Sequence, residues 1–157
     1  MEIFSATCDL NKEEMFQKIS DHLHTKGYVK DTYYQALLHR ESLHPTGLQV
    51  EDLISIAIPH TDIEHVDRQT MVVVRNDSSN FQFQRMDKPS ESLTVNLAFL
   101  LVVKEPDGYV NFLAALTSLF QEDSFIDLLC SSSPDIICKS LVEKLNDFNL
   151  IYEGDLC

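Results

Sequence analysis

Residues 93–103 read LTVNLAFLLVV, and the LAFLLVV portion, residues 97–103, is the longest unbroken apolar run in the chain. A bilayer span takes about 20 such residues, so the run is far too short to cross a membrane. It also does not alternate, which is the signature of a strand buried on both faces rather than one. TMVVVRN, residues 70–76, has the same character and adds β-branched residues suited to a central strand. Two other segments alternate instead. Ile54, Ile56 and Ile58 are separated by Ser55 and Ala57, and FQFQ, residues 81–84, has one apolar and one polar face.

Strands buried on both faces need cover on both sides, and the flanking segments supply helices. Asn11 is placed to cap a first helix, with Glu14 reaching back, and Met15, Phe16, Ile19 and Leu23 fall on one face. Gly27 follows Lys26 as a left-handed stop. Asp31 is placed to cap a second helix with Tyr34, Leu37 and Leu38 inward, ended by Pro45 and Gly47. After the long strand, Pro106-Asp107-Gly108 reads as a turn, and Val110, Leu113, Ala114, Leu116, Thr117 and Phe120 as one helical face. Phe125, Ile126 and Leu129 suggest a short helix. Ser133-Pro134 opens another, with Ile137, Leu141 and Leu145 at four-residue steps. The tail FNLIY, residues 148–152, is a candidate edge strand. With no linker or repeat, residues 1–157 read as a single α/β domain, a mixed, mostly central β-sheet flanked by helices on both faces.

Charge narrows the partners. A formal net charge of −13 argues against nucleic acid or an anionic membrane surface, both of which want basic patches. The N-terminal stretch has no basic region leading into an apolar core, so no signal peptide is expected. Cys8, Cys130, Cys138 and Cys157 form no CxxC pair and read as free thiols of a cytoplasmic protein. The six histidines lack further ligands at metal spacing, so no metal and no cofactor are expected. There is no GxSxG, Walker A or GxGxxG motif. Acids such as Glu13, Glu14, Glu41, Glu51 and Asp52 read as solvated surface.

One constellation remains. The alternating strand ISIAI runs into Pro59-His60 at a sheet edge, where ligands are commonly met. Thr61 adds a hydroxyl and a backbone donor. Upstream, Arg40-Glu41 closes a helix and Thr46-Gly47 begins a turn. Arg40 is a fixed positive charge of the kind a phosphate beside His60 needs. Each residue also has a plain structural reading: a strand end, a helix C-terminus, turn chemistry.

RESLHPTGLQVEDLISIAIPHTD, residues 40–62, resembles the active-site segment of the enzyme IIA domains of the bacterial sugar phosphotransferase system, fructose–mannitol type. The resemblance rests on Arg40, Glu41, Thr46, Gly47, Ala57, Ile58, Pro59 and His60 and extends over most of the chain. It implies a phosphocarrier in which His60 takes a phosphoryl group from the histidine-containing phosphocarrier protein and passes it to a cysteine of enzyme IIB, and indirectly serves the membrane enzyme IIC. Arg40 matches the arginine that supports the phosphate, and Thr46, Gly47 and Thr61 are candidate supports. Fructose and mannitol members carry a second histidine where this chain has Tyr109-Val110. The galactitol enzyme IIA also lacks it, and resembles this chain in DTYYQALLHRESLHPTGL, residues 31–48. A galactitol-like or related system is therefore the narrower expectation. Tyr109 keeps a hydrogen-bond donor but not a cationic charge, and it has an equally plain reading as a packing aromatic. Leu48, Ile63 and Val66 are expected to offer apolar surface around His60 for docking. A regulatory, nitrogen-type relative that feeds no transporter and a non-catalytic binding module are the competing expectations.

Overall fold

The computed structural model describes residues 1–157. Its centre is a six-stranded mixed sheet built from β1 (Glu2–Cys8), β2 (Gly47–Val50), β3 (Ile54–Ala57), β4 (Thr70–Asn76), β7 (Leu97–Val102) and β8 (Ile151–Asp155), in the order β2-β3-β7-β4-β1-β8. Parallel pairs are β3 with β7, β4 with β1 and β1 with β8. The pairs β2–β3 and β4–β7 are antiparallel. A separate two-stranded ribbon pairs β5 (Gln82–Gln84) with β6 (Ser92–Thr94).

Alternation along the strands sends side chains into two cores. Ile3, Met71, Val73, Leu97, Phe99 and Leu101 face one side, covered by α3 (Pro106–Leu119), α4 (Asp123–Ser131) and α5 (Pro134–Lys144). Phe4, Val72, Val74, Ala98, Leu100 and Val102 face the other, covered by α1 (Lys12–Thr25), α2 (Tyr33–Leu43) and the ribbon. The sheet thus has helices on both faces. Phe81 and Phe83 are fully buried while Gln82 and Gln84 stay exposed, so the expected one-sided strand holds. The capping box at Asn11 and Glu14 is present, and Gly27 takes a φ of 84° where the first helix stops.

Several boundaries differ from expectation. β1 and β2 were not foreseen. β1 lies inside the sheet between β4 and β8, and its EIFSATC sequence alternates too weakly to stand out beside the later strands. The stretch 93–103 is two strands. It breaks at Val95-Asn96, so its first part pairs with β5 and the rest enters the sheet. Asp31 is not a cap: Thr32 occupies that position and its side chain makes no capping bond. Pro106-Asp107-Gly108 is the first turn of α3, not a loop, because proline is well suited to a helix start. The buried face of α3 is Phe112, Leu116 and Leu119, while Val110 is exposed. The tail strand starts at Ile151, after a short 3-10 turn and a left-handed Asn149.

Candidate functional site

His60 sits just past the end of β3, and the reason lies in the strand beside it. Antiparallel β2 begins at Gly47, opposite Ala57, so Ile58 and Pro59 extend beyond their neighbour. The Ile58 amide is satisfied by the Thr46 hydroxyl at 3.2 Å. Pro59 has no amide to satisfy, so proline costs nothing at this place. On the other side the strand stays attached, since the Leu101 amide donates to the Pro59 carbonyl at 3.0 Å and His60 bridges to Leu101. The backbone that presents His60 is therefore pinned on both edges.

The imidazole is pinned as well. Its Nδ1 lies 3.0 Å from the Ile58 carbonyl. A carbonyl only accepts, so Nδ1 carries the proton and Nε2 keeps a free lone pair. Burial lowers the pKa of His60 below its ordinary value of 6.5. The Ile58 bond pulls it back up, the Arg40 and His44 charges lower it further, and Asp62 raises it. The group that fixes the tautomer is thus a backbone carbonyl.

Arg40, in the last turn of α2, donates through Nη1 to Asp62 Oδ1 at 2.9 Å. Its Nε is buried without an acceptor. Tyr109, in the first turn of α3, places its ring 6.4 Å from the His60 ring, centroid to centroid. Its hydroxyl is also buried and unpartnered. Burial raises the pKa of that hydroxyl and the Arg40 charge opposes the shift. Two buried donors without an acceptor are unusual, because such groups are nearly always paired. An anion is the kind of acceptor both lack.

The other candidates occupy supporting places. Thr46 is buried and its hydroxyl donates to Glu41 Oε1 at 2.7 Å, while its amide donates to Glu41 Oε2 at 2.7 Å. Glu41 is therefore a buried strut, only 4 % exposed, and not the surface acid its charge suggests. Burial raises its pKa and the two Thr46 bonds oppose that. Tyr33, Leu37 and Glu41 recur every four residues, so helical spacing already placed Glu41 on the buried face. Gly47 is a close-approach residue: a Cβ there would stand 2.6 Å from the Gln84 carbonyl oxygen. Thr61 is buried and its hydroxyl donates to the Asp62 carbonyl at 2.9 Å.

Around this centre, Ile63 is 42 % exposed, Leu48 is half-buried, and Val66 is fully buried and so offers nothing to a partner. Leu43, three residues after Arg40, and Val110, directly after Tyr109, are more exposed apolar side chains. His65 is half-buried, with Nδ1 2.8 Å from the Thr32 hydroxyl. No cluster of three or more His, Cys, Asp or Glu side chains has metal-ligand geometry, and no helix is long and apolar enough to cross a membrane.

The fold is a layered α/β one with a tautomer-fixed histidine at a strand end, and comparison with known proteins places the chain in a family. The family model described as phosphoenolpyruvate-dependent sugar phosphotransferase system, EIIA 2, matches residues 3–144, and the chain belongs to that family. It is 29 % identical over 120 residues to the galactitol-specific EIIA component of Escherichia coli K12, covering 76 % of this chain and 78 % of that one. Its fold is similar to the mannitol enzyme IIA in an Escherichia coli complex of that protein with phosphorylated mannitol enzyme IIB. There the TM-score is 0.61 at 23 % identity, covering 92 % of this chain and 94 % of the other. The nitrogen regulatory protein IIA-Ntr of Neisseria meningitidis has a similar fold as well, with a TM-score of 0.62 at 23 % identity over 85 % of this chain and 89 % of that one. The chain is thus an enzyme IIA component of a sugar phosphotransferase system.

Proposed function

We propose that residues 1–157 act as one cytoplasmic phosphocarrier domain. His60 takes a phosphoryl group from the histidine-containing phosphocarrier protein and gives it to a cysteine of enzyme IIB. That enzyme supplies the membrane enzyme IIC for uptake of galactitol or a related sugar. The observation that carries this reading is the 3.0 Å bond between His60 Nδ1 and the Ile58 carbonyl, which leaves Nε2 as the nucleophile. The similarity to a galactitol-specific component supports the choice of sugar class.

The chemistry needs little beyond placement. Nε2 attacks phosphorus in line as the donor's P–N bond breaks, and Nδ1 keeps its proton throughout. Charge in such a loose transition state spreads over the equatorial oxygens, so positioning and electrostatic stabilisation carry catalysis. Arg40 supplies the positive charge and the Tyr109 hydroxyl a neutral hydrogen bond. Thr46 acts one step back, joined to Glu41 on one side and to the Ile58 amide on the other. Gly47 lets the ribbon close over the start of β2. Thr61 sets the chain leaving His60. Release to enzyme IIB reverses the bond exchange, with the P–N bond to Nε2 breaking as a P–S bond forms.

The test is a transfer assay with enzyme I, the phosphocarrier protein and labelled phosphoenolpyruvate. The protein acquires acid-labile label, His60→Ala does not, and the label passes on to a galactitol-type enzyme IIB. Equal labelling of His60→Ala contradicts the site, and label that reaches no enzyme IIB points instead to a regulatory protein.

A further inference from the structure

Arg40 makes its one side-chain ion pair with Asp62, from Nη1 at 2.9 Å, while its Nε stays buried and unpartnered. Asp62 lies two residues beyond His60, so the chain holds the two Cα atoms within about 7 Å of each other. Its side chain is 69 % exposed and its carboxylate has no other side-chain partner. A carboxylate this close to a site that carries a phosphoryl dianion repels it and withholds the cation the dianion needs. That is a poor arrangement for a protein that only binds phosphate, and a useful one for a carrier. A carrier that held the group too tightly would be an end point rather than an intermediate.

We infer that Asp62 is a positioning residue that parks the Arg40 guanidinium while His60 is free, and competes with the phosphoryl group for it once His60 is loaded. This rests on the phosphohistidine reading of His60. Asp62 takes no part in bond making. The donor's P–N bond breaks as the P–Nε2 bond forms, no proton leaves Nδ1, and the guanidinium exchanges one anionic oxygen for another. The carboxylate then waits in solvent beside the phosphoryl group and takes the guanidinium back when the group departs. Asp62 thereby sets how readily His60 gives the phosphoryl group up.

The experiment equilibrates the protein with a defined mixture of phosphorylated and unphosphorylated phosphocarrier protein and measures the phosphorylated fraction of each. Circular dichroism verifies that each variant is folded. Asp62→Asn is expected to raise the equilibrium constant for loading by about two- to fivefold, the range typical of one exposed ion pair. It should also slow onward transfer to enzyme IIB. Asp62→Glu should stay near the wild type. In an Arg40→Ala background the effect of Asp62→Asn should shrink, because the contested cation is gone. The difference between Asp62→Asn and wild type should narrow as salt is added. An unchanged or lowered loading constant in Asp62→Asn, or an equal effect with and without Arg40, overturns the inference while leaving His60 as the carrier. A wild type that takes no label overturns the phosphohistidine reading, and this inference with it.

Discussion

At His60 two influences oppose each other. Burial favours the neutral ring, and the Ile58 carbonyl, as an acceptor from Nδ1, favours the charged one. Burial is the larger, and Arg40 adds to it, so the pKa falls below 6.5 and the neutral ring is favoured at neutral pH. The rate of His60 phosphorylation should therefore be flat at neutral pH and fall only below the ordinary histidine value of 6.5. A midpoint above 6.5 in the pH–rate profile would mean the ring is held charged. The same shift has a consequence for stability. A histidine whose folded pKa lies below its unfolded value binds fewer protons when folded, so its contribution rises with pH between the two values and is level above the unfolded one. Glu41 runs the other way. Its raised pKa favours the protonated folded form, and that stabilisation is present below the ordinary value of 4.5 and lost as pH rises through the folded value.

At the level of elements, the site depends on the offset between β2 and β3. Because β2 starts opposite Ala57, the last two residues before His60 lack a neighbour on the β2 side, and Thr46 with Glu41 fills part of the gap. Gly47 lies at that offset. Gly47→Ala places a Cβ against the Gln84 carbonyl, a backbone atom that cannot swing away. Overpacking of this kind costs about 1–3 kcal/mol, so the midpoint of chemical denaturation should fall accordingly and transfer should slow as the ribbon shifts. A variant with wild-type stability and transfer would show that the ribbon is not needed here. The offset itself was hidden in the sequence. Alternation marked Ile54, Ile56 and Ile58 as strand, and Pro59 marked its end. Four residues of GLQV beside a Pro-Thr-Gly turn signal carry no such pattern, and β2 is recognisable only once its partner is known.

For the whole molecule, the layered α/β architecture was legible because β4 and β7 are apolar on both faces and the flanking segments are amphipathic. The order of strands was not. β1 comes first in the chain yet lies inside the sheet, and β8 comes last yet pairs with it. Glu2 pairs with Thr70, 68 positions on, and with Ile151, 149 positions on, and such pairings leave no local trace. The buried role of Glu41 was legible in its four-residue spacing from Tyr33 and Leu37 but was masked by its charge. The bond between Asp62 and Arg40 spans 22 positions and had no local signal. Seen whole, the sheet and its two helical layers hold one imidazole with Nδ1 occupied and Nε2 open. Long-range nitrogen–proton NMR of the His60 ring, before and after loading from the phosphocarrier protein, tests that claim most directly. The account predicts a protonated Nδ1 and a bare Nε2 in the free protein, with phosphorus coupling at Nε2 after loading. Phosphorus coupling at Nδ1, or on another residue, would contradict it.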